Sequence, residues 1–489
     1  MKKIILFSVF YLSTMHQVYS ALPLIAVTSP AYCSDIQGNT IINVSAPNCT
    51  GVKIFCWKQG DGFGSNSVID TVTLNSNGIG SFIFQADDYP HGPLTLRISG
   101  TVVIPNVASI PDNCYLQLYN KGGVLWNEGI PVNPPPAEGM NIVFSDDFNS
   151  TLKIGANSNN FTYYDHKPPY GTQDFSSIPF TSFSSSNNPF SQVDSYLRIR
   201  ADATKNSAGL ISSMFNNRAG INAKMPCYFE CRFIAPNVPG SWPAFWLMSV
   251  PNNLSDSREA VDELDIIEAY GGEGPGKPNA KSVYAITPHA WNQSDSLTAI
   301  CNNFYNALTF QDMSKHGIPS TWYETSHTYG CKITADATIY YCDNIEMARH
   351  ATLPMSKIKP LFFMINLATG GGWPVDLSRY GNKMDMYVDY VRVYSSAPPT
   401  GLSLNEVSKI DVNIYPNPIT SETAIHLNSP NLEDISVNIC NVLGQSILSY
   451  HTLEQGEIKI PINLSGMNNG MYIAKIRVGN SQITKTIIK

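Results

Sequence analysis

Apolar residues recur in short runs of alternating character, such as Gly51-Val52-Lys53-Ile54-Phe55-Cys56-Trp57 and Leu94-Thr95-Leu96-Arg97-Ile98, separated by clusters of Asn, Gly, Asp and Pro. This spacing predicts short strands, and residues 22–131 are expected to form a β-sandwich, either an Ig-like spacer or a carbohydrate-binding module. Further strand-like runs lie at Ile410–Tyr415, Ser436–Val442 and Met471–Val478. Pro134-Pro135-Pro136 and the Ser-rich stretch with Pro398-Pro399 break the pattern. They set linkers at 132–140 and 395–404, which leave a central domain at 141–394 and a C-terminal one at 405–489.

One stretch is ambiguous. From Arg258, the apolar residues Ala260, Val261, Leu264 and Ile267 follow a helical period, with Gly271 as a stop, so local pattern alone reads helix. Read as a strand, the same stretch turns Glu263 and Asp265 to one face and Leu264 and Ile266 to the other. Glu268 lies five positions from Glu263 and would face away, unless a β-bulge at Ile266-Ile267 absorbs one residue and restores it.

Composition narrows the function. The 489 residues carry 31 Lys plus Arg against 38 Asp plus Glu, a net charge of −7, with only 14% charged residues. That argues against nucleic-acid binding and against a charged disordered chain. Aromatic residues reach 11%, which suits neutral ligands that stack on rings. Residues 1–20 combine Lys2 and Lys3, an apolar run from Ile4 to Leu12, and Val18-Tyr19-Ser20 before Ala21, the pattern of a secretory signal peptide. No later stretch holds the roughly 18 apolar residues of a membrane span, so an exported, soluble monomer is expected. Export permits disulfides among the ten Cys. A two-residue turn at Asp336-Ala337 would set Cys331 opposite Cys342, a candidate bridge whose alternative is two buried thiols.

The tail resembles a known family. Ile414-Tyr415-Pro416-Asn417-Pro418, Val442-Leu443-Gly444-Gln445, Leu464-Ser465-Gly466-Met467, Gly470-Met471-Tyr472-Ile473-Ala474-Lys475 and a basic end are similar, in that order, to the type IX secretion C-terminal sorting domain of Bacteroidota. The resemblance implies the type IX secretion machinery as a partner, and an extracellular or outer-surface location.

In the central domain, Gly240-Ser241-Trp242-Pro243-Ala244-Phe245-Trp246-Leu247-Met248 followed by Glu263-Leu264-Asp265-Ile266-Ile267-Glu268 resembles glycoside hydrolase family 16, the laminarinase, lichenase and agarase group. Phe229-Glu230-Cys231-Arg232, His327-Thr328-Tyr329-Gly330, Asn366 to Gly371 and Met386 to Tyr394 follow in the family's order. The resemblance decides for the strand. It implies an all-β chain whose centre is a concanavalin-like jelly roll, flanked by two smaller β-sandwiches, with a polysaccharide substrate. Glu263 resembles the nucleophile, Glu268 the general acid/base, and Asp265 the carboxylate between them. A retaining glycosidase needs its two carboxyl groups roughly 5 to 5.5 Å apart. Neighbouring negative charges are expected to keep Glu268 protonated.

Trp242, Trp246, His289 and Trp291 are candidate substrate contacts, and Trp373 is a further one; for each the alternative is a structural core role. The expected substrate is a β-1,3- or β-1,3-1,4-glucan, with a galactan hydrolase or a non-catalytic carbohydrate-binding protein as alternatives. Val261 stands where the lichenase type has Trp, and Ile333 where the family commonly has another, which leaves the sugar open. No cofactor is expected. A structural calcium near Asp146, Asp147 and Asp389 is the family's option, against solvated surface carboxylates. The Gly- and Pro-rich stretch Gly271–Ala280 is expected to form a loop at the cleft edge.

Overall fold

The computed structural model describes residues 24–57, 67–104, 108–123, 133–170, 174–271, 283–298, 301, 311–319, 321–396, 412–419, 422–441, 446–478 and 481–489. The signal segment, the stretch 272–280 and the second linker beyond Ser396 lie outside the described residues. The chain divides into two compact units, one ending at Leu402 and one beginning at Ser403. No helix among the described residues is long and apolar enough to cross a membrane.

Among the described residues, the first unit holds four sheets. A three-stranded sheet (Ala26–Ser29, Asn39–Ser45, Ile79–Gln85) and a five-stranded one (Ser34–Ile36, Ala108–Asn120, Gly92–Ile104, Gly51–Cys56, Ser67–Thr73) form the N-terminal sandwich. Its core is built by the inward positions of the alternating runs, among them Ile42, Val44, Ile54, Leu96 and Ile98. The central jelly roll packs two eight-stranded sheets face to face. One runs in the order Ile154–Gly155, Tyr163–Tyr164, Gly209–Ser212, Leu361–Thr369, Ser241–Ser249, Val261–Glu268, Val283–Trp291 and Gln311–Asp312. The other contains Tyr196–Asp202, Lys383–Ser395, Cys227–Ile234 and His327–Ile333 at its centre.

The second unit is one antiparallel sheet (Val412–Tyr415, Glu422–Asn441, Met471–Val478, Ser481–Ile488), with Ser446–Asn463 also paired to its long strand. The register breaks between Ser429 and Glu433, and Ile425 and Ile460 share one core with Val437 and Ile476.

The N-terminal module is fixed to the jelly roll by buried, part-buried and exposed polar contacts. Arg379 donates to both oxygens of Asp112 (3.1 and 2.6 Å) and to the Ile25 carbonyl (2.6 Å). Arg97 donates to Glu324 at 2.7 Å, and the Gln117 amide exchanges bonds with the Asp385 backbone. Asp194 gathers Tyr119, Lys121 and His91. The Pro-rich segment between the two is itself docked, with Pro136 and Ala137 buried and Ala137 packed against Tyr228 and Tyr394.

One ambiguity is resolved as the resemblance implied, and one expectation is corrected. The segment that reads as a helix by periodicity is strand Val261–Glu268, because pairing on both sides and burial of Leu264, Ile266 and Ile267 outweigh local preference. The Cys331–Cys342 bridge does not form. The hairpin turns through Thr334–Ala337, two residues away from the register assumed, so Cys331 faces Tyr340 and Cys342 faces Tyr329. All ten cysteines are free thiols.

The side chains named for calcium each meet protein partners. Asp146 accepts from Tyr163 and the Phe148 amide (2.9 Å each), Arg232 holds Asp389 at 2.5 Å, and Arg392 lies 3.9 Å from Asp147.

Candidate active site

The acidic strand is paired on both edges, and both registers slip by one residue at the same place. Asp265 faces Trp246 and Thr287, whereas Glu268 faces Ala244 and Ala285. The extra residue is taken up at Ile266-Ile267, both of which enter the core. The bulge therefore sits where the sequence suggests, and it returns Glu268 to the face of Glu263 and Asp265. All three acids line one cleft of about 380 Å³, together with Trp242, Trp246, Trp291, Asn366, Phe175, Tyr170 and Lys167. Asp262, the fourth carboxylate of the motif, is fully buried and accepts from Gln293 and from the Ser356 amide and hydroxyl, so its role is structural.

Each acid has distinct partners. Glu263 accepts a bond from the Trp291 indole at 3.1 Å. Asp265, 5% exposed, lies 3.4 Å from His289 Nε2, which is 4.0 Å from Glu263. Glu268 accepts from Trp242 Nε1 and from the Tyr270 hydroxyl, both at 3.0 Å on Oε1, and from Thr287 at 3.3 Å on Oε2.

Burial is the main force that raises the Glu268 carboxyl above the usual range; its two Oε1 donors and His289 pull the other way, and Glu263 adds a further push upward. Desolvation thus does more than the charge repulsion expected from the sequence. Burial and the charges of Glu268 and Glu263 also push Asp265 well up, against His289. For His289, burial favours the neutral ring, but the bond to Asp265 and the three acids outweigh it and lift the pKa to about 9.

A histidine whose pKa is raised on folding stabilises the fold below its ordinary value near 6.5, and that contribution fades as pH rises through about 9. Thermal melting of the parent minus that of His289→Gln should therefore be largest at pH 6 and shrink by pH 9.5. An offset that does not change with pH would refute the assignment.

Three of the four candidate contacts, Trp242, Trp246 and Trp291, line the cleft, and His289 meets it through Asp265. Trp242 and Trp246 line the cleft, but Trp246 is 5% exposed and its N–H is given to Asn366 at 2.8 Å. Trp291, 45% exposed, stacks on His289 with ring centres 4.9 Å apart. Trp373 is buried behind Tyr270.

Sequence reasoning missed Tyr270, Lys167, Tyr170 and Phe175. The last three come from the stretch after strand Tyr163–Tyr164 and carried no motif, while Tyr270 stood two places beyond the acidic run and was legible from that spacing. Tyr170 donates to the Glu259 carbonyl and Lys167 to the Tyr170 carbonyl, so this loop is tied to the start of the acidic strand. A second polar cluster, His327, Cys342 and Asp343, lies elsewhere; there His327 Nδ1 is 2.5 Å from Asp343 and Nε2 is 3.0 Å from Thr325.

Fold and cleft define an all-β jelly-roll protein with a row of three carboxylates in an aromatic groove. Residues 413–489 match the family described as Secretion system C-terminal sorting domain, so the expected sorting domain is present and marks the chain for secretion. Over 217 residues the chain is 32% identical to endo-1,3-1,4-beta-glycanase EglC of Rhizobium meliloti (strain 1021), covering 42% of this chain and 40% of that protein. Over 263 residues it is 24% identical to a keratan-sulfate endo-1,4-beta-galactosidase of Sphingobacterium multivorum, covering 52% and 54%. A solved laminarinase from Flavobacterium sp. UMI-01 is 18% identical, with a TM-score of 0.38, covering 52% of this chain and all of that one. The chain spans about 40% of the length of the first curated relatives it matches. The resemblance read from the motifs, a glycanase-like domain followed by a sorting domain, is borne out.

Proposed function

We propose that the protein is a secreted, endo-acting, retaining glycoside hydrolase of β-linked polysaccharide, with a β-1,3- or mixed-linkage glucan as substrate. The observation that carries this reading is the bulged strand, which turns Glu263, Asp265 and Glu268 into one cleft while giving them unlike surroundings. Glu263, beside a cationic His289, is the nucleophile: it attacks the anomeric carbon as Glu268 protonates the departing glycosidic oxygen. In the second half, Glu268 takes a proton from water, the water oxygen bonds to the anomeric carbon, and Glu263 leaves with its electron pair. Asp265 and His289 hold the charge between them. The chemistry calls for no cofactor.

A galactan is the second reading, supported by the similarity to a protein named as a keratan-sulfate galactosidase. The test is incubation of the mature chain with laminarin, lichenan, agarose and carrageenan, reading reducing ends and, by NMR, the anomer first formed. Release of β-anomer from a glucan is expected. Release only from the galactans would move the substrate to the second reading, an inverted first product would overturn the assigned roles, and binding without release would leave a lectin.

A further inference from the structure

Tyr270 belongs to no motif used so far, yet its hydroxyl reaches Glu268. Trp242 and Tyr270 stack with ring centres 5.7 Å apart and planes 26° from parallel, and Tyr270 stacks in turn on Trp373 at 5.7 Å and 24°. Three rings thus form one column beside the proposed acid/base. Gly371 closes its side. The residue has φ +60°, and a Cβ there would come within 2.8 Å of the Tyr270 ring and 2.9 Å of Trp242, so only glycine lets the loop lie against both rings. Phe175 meets the Trp242 ring edge-on at 5.3 Å. A phenol and an indole packed in this way have little rotational freedom, and both place their donors 3.0 Å from the same oxygen, Oε1 of Glu268.

This convergence bears on which oxygen holds the proton. A carboxyl O–H on Oε1 would have to share its lone pairs with two donors already pointing there. Oε2 faces Thr287 at 3.3 Å, a hydroxyl that can accept as well as donate. We propose that Tyr270 is a positioning residue for Glu268, which with Trp242 fills Oε1 with donors and so leaves Oε2 to carry the proton delivered to the leaving group. The inference rests on the hydrolase reading above. It adds that the ring column fixes the direction of proton transfer, and that loss of one donor changes the strength of the acid without disturbing the nucleophile.

The sign follows from the bond. A donor on the carboxylate favours the ionised form, so removing it raises the pKa of Glu268, and the acid stays protonated to higher pH. Tyr270→Phe keeps the ring in the column and removes only the hydroxyl. In the full mature chain, the high-pH limb of kcat/KM on the polysaccharide should move up by about one pH unit, and kcat/KM should fall about tenfold. With a dinitrophenyl glycoside of the same sugar, whose leaving group departs unprotonated, kcat/KM should stay within about twofold of the parent. Gly371→Ala, which pushes on both rings from outside, should give the same split between substrates.

A pH limb that does not move, or equal losses on both substrates, would show that Tyr270 is only packing. If the parent and Glu268→Gln cleave equally, or the parent cleaves nothing, the hydrolase reading falls and this inference with it. If the parent cleaves, Glu268→Gln does not, and Tyr270→Phe titrates like the parent, the role of Tyr270 alone falls.

Discussion

Glu263→Ala is expected to lower polysaccharide hydrolysis by about 10⁴-fold or more, since the covalent route loses its nucleophile. The fold should tolerate the change. Glu263 points into the cleft, whereas Leu264, Ile266 and Ile267 supply the buried side of the strand. The truncation leaves a space beside the anomeric carbon, and added azide should fill it, restoring turnover and giving a glycosyl azide of inverted configuration. Reducing-sugar assay and mass spectrometry read the two parts. If activity survives the substitution, or if azide rescues Glu268→Ala through a glycosyl azide of inverted configuration, the nucleophile lies elsewhere.

The second large effect is on stability. Arg379→Met should lower the unfolding free energy by roughly 3 kcal/mol, because Asp112 is left as a buried anion with neither guanidinium donor. The Ile25 carbonyl loses its partner as well. The double variant Arg379→Met, Asp112→Leu should regain much of the loss, since the uncompensated charge goes with it. Urea denaturation of the full chain measures both. An unmoved midpoint in the single variant would show that this contact contributes nothing to holding the N-terminal module.

Much of the site was legible because it lies within a few residues. Parity along one strand places Glu263 and Asp265 together, and the same parity requires the bulge before Glu268 can join them. The long apolar strands and the punctuated runs fix the all-β class. What escaped the sequence depends on distant partners. Periodicity cannot tell a helix from a central strand covered on both faces, which is why Arg258 to Ile267 reads as a helix by period alone and took the neighbouring motifs to be read as a strand. The Cys331–Cys342 pairing failed on a two-residue choice of turn, to which local signals are nearly indifferent. The docking of Arg379 on Asp112 joins residues 267 positions apart and leaves no mark on either neighbourhood.

Under the proposed function, that docking also bears on how the chain would meet an insoluble polymer. A module on a loose tether searches a volume and multiplies avidity through effective concentration, with tether length as the control. Here the module is presented at one angle and one distance from the groove that holds the acids, as on a bracket. Under the proposed function, any gain in avidity from its outer face comes from matched geometry and is insensitive to the length of the prolines between them.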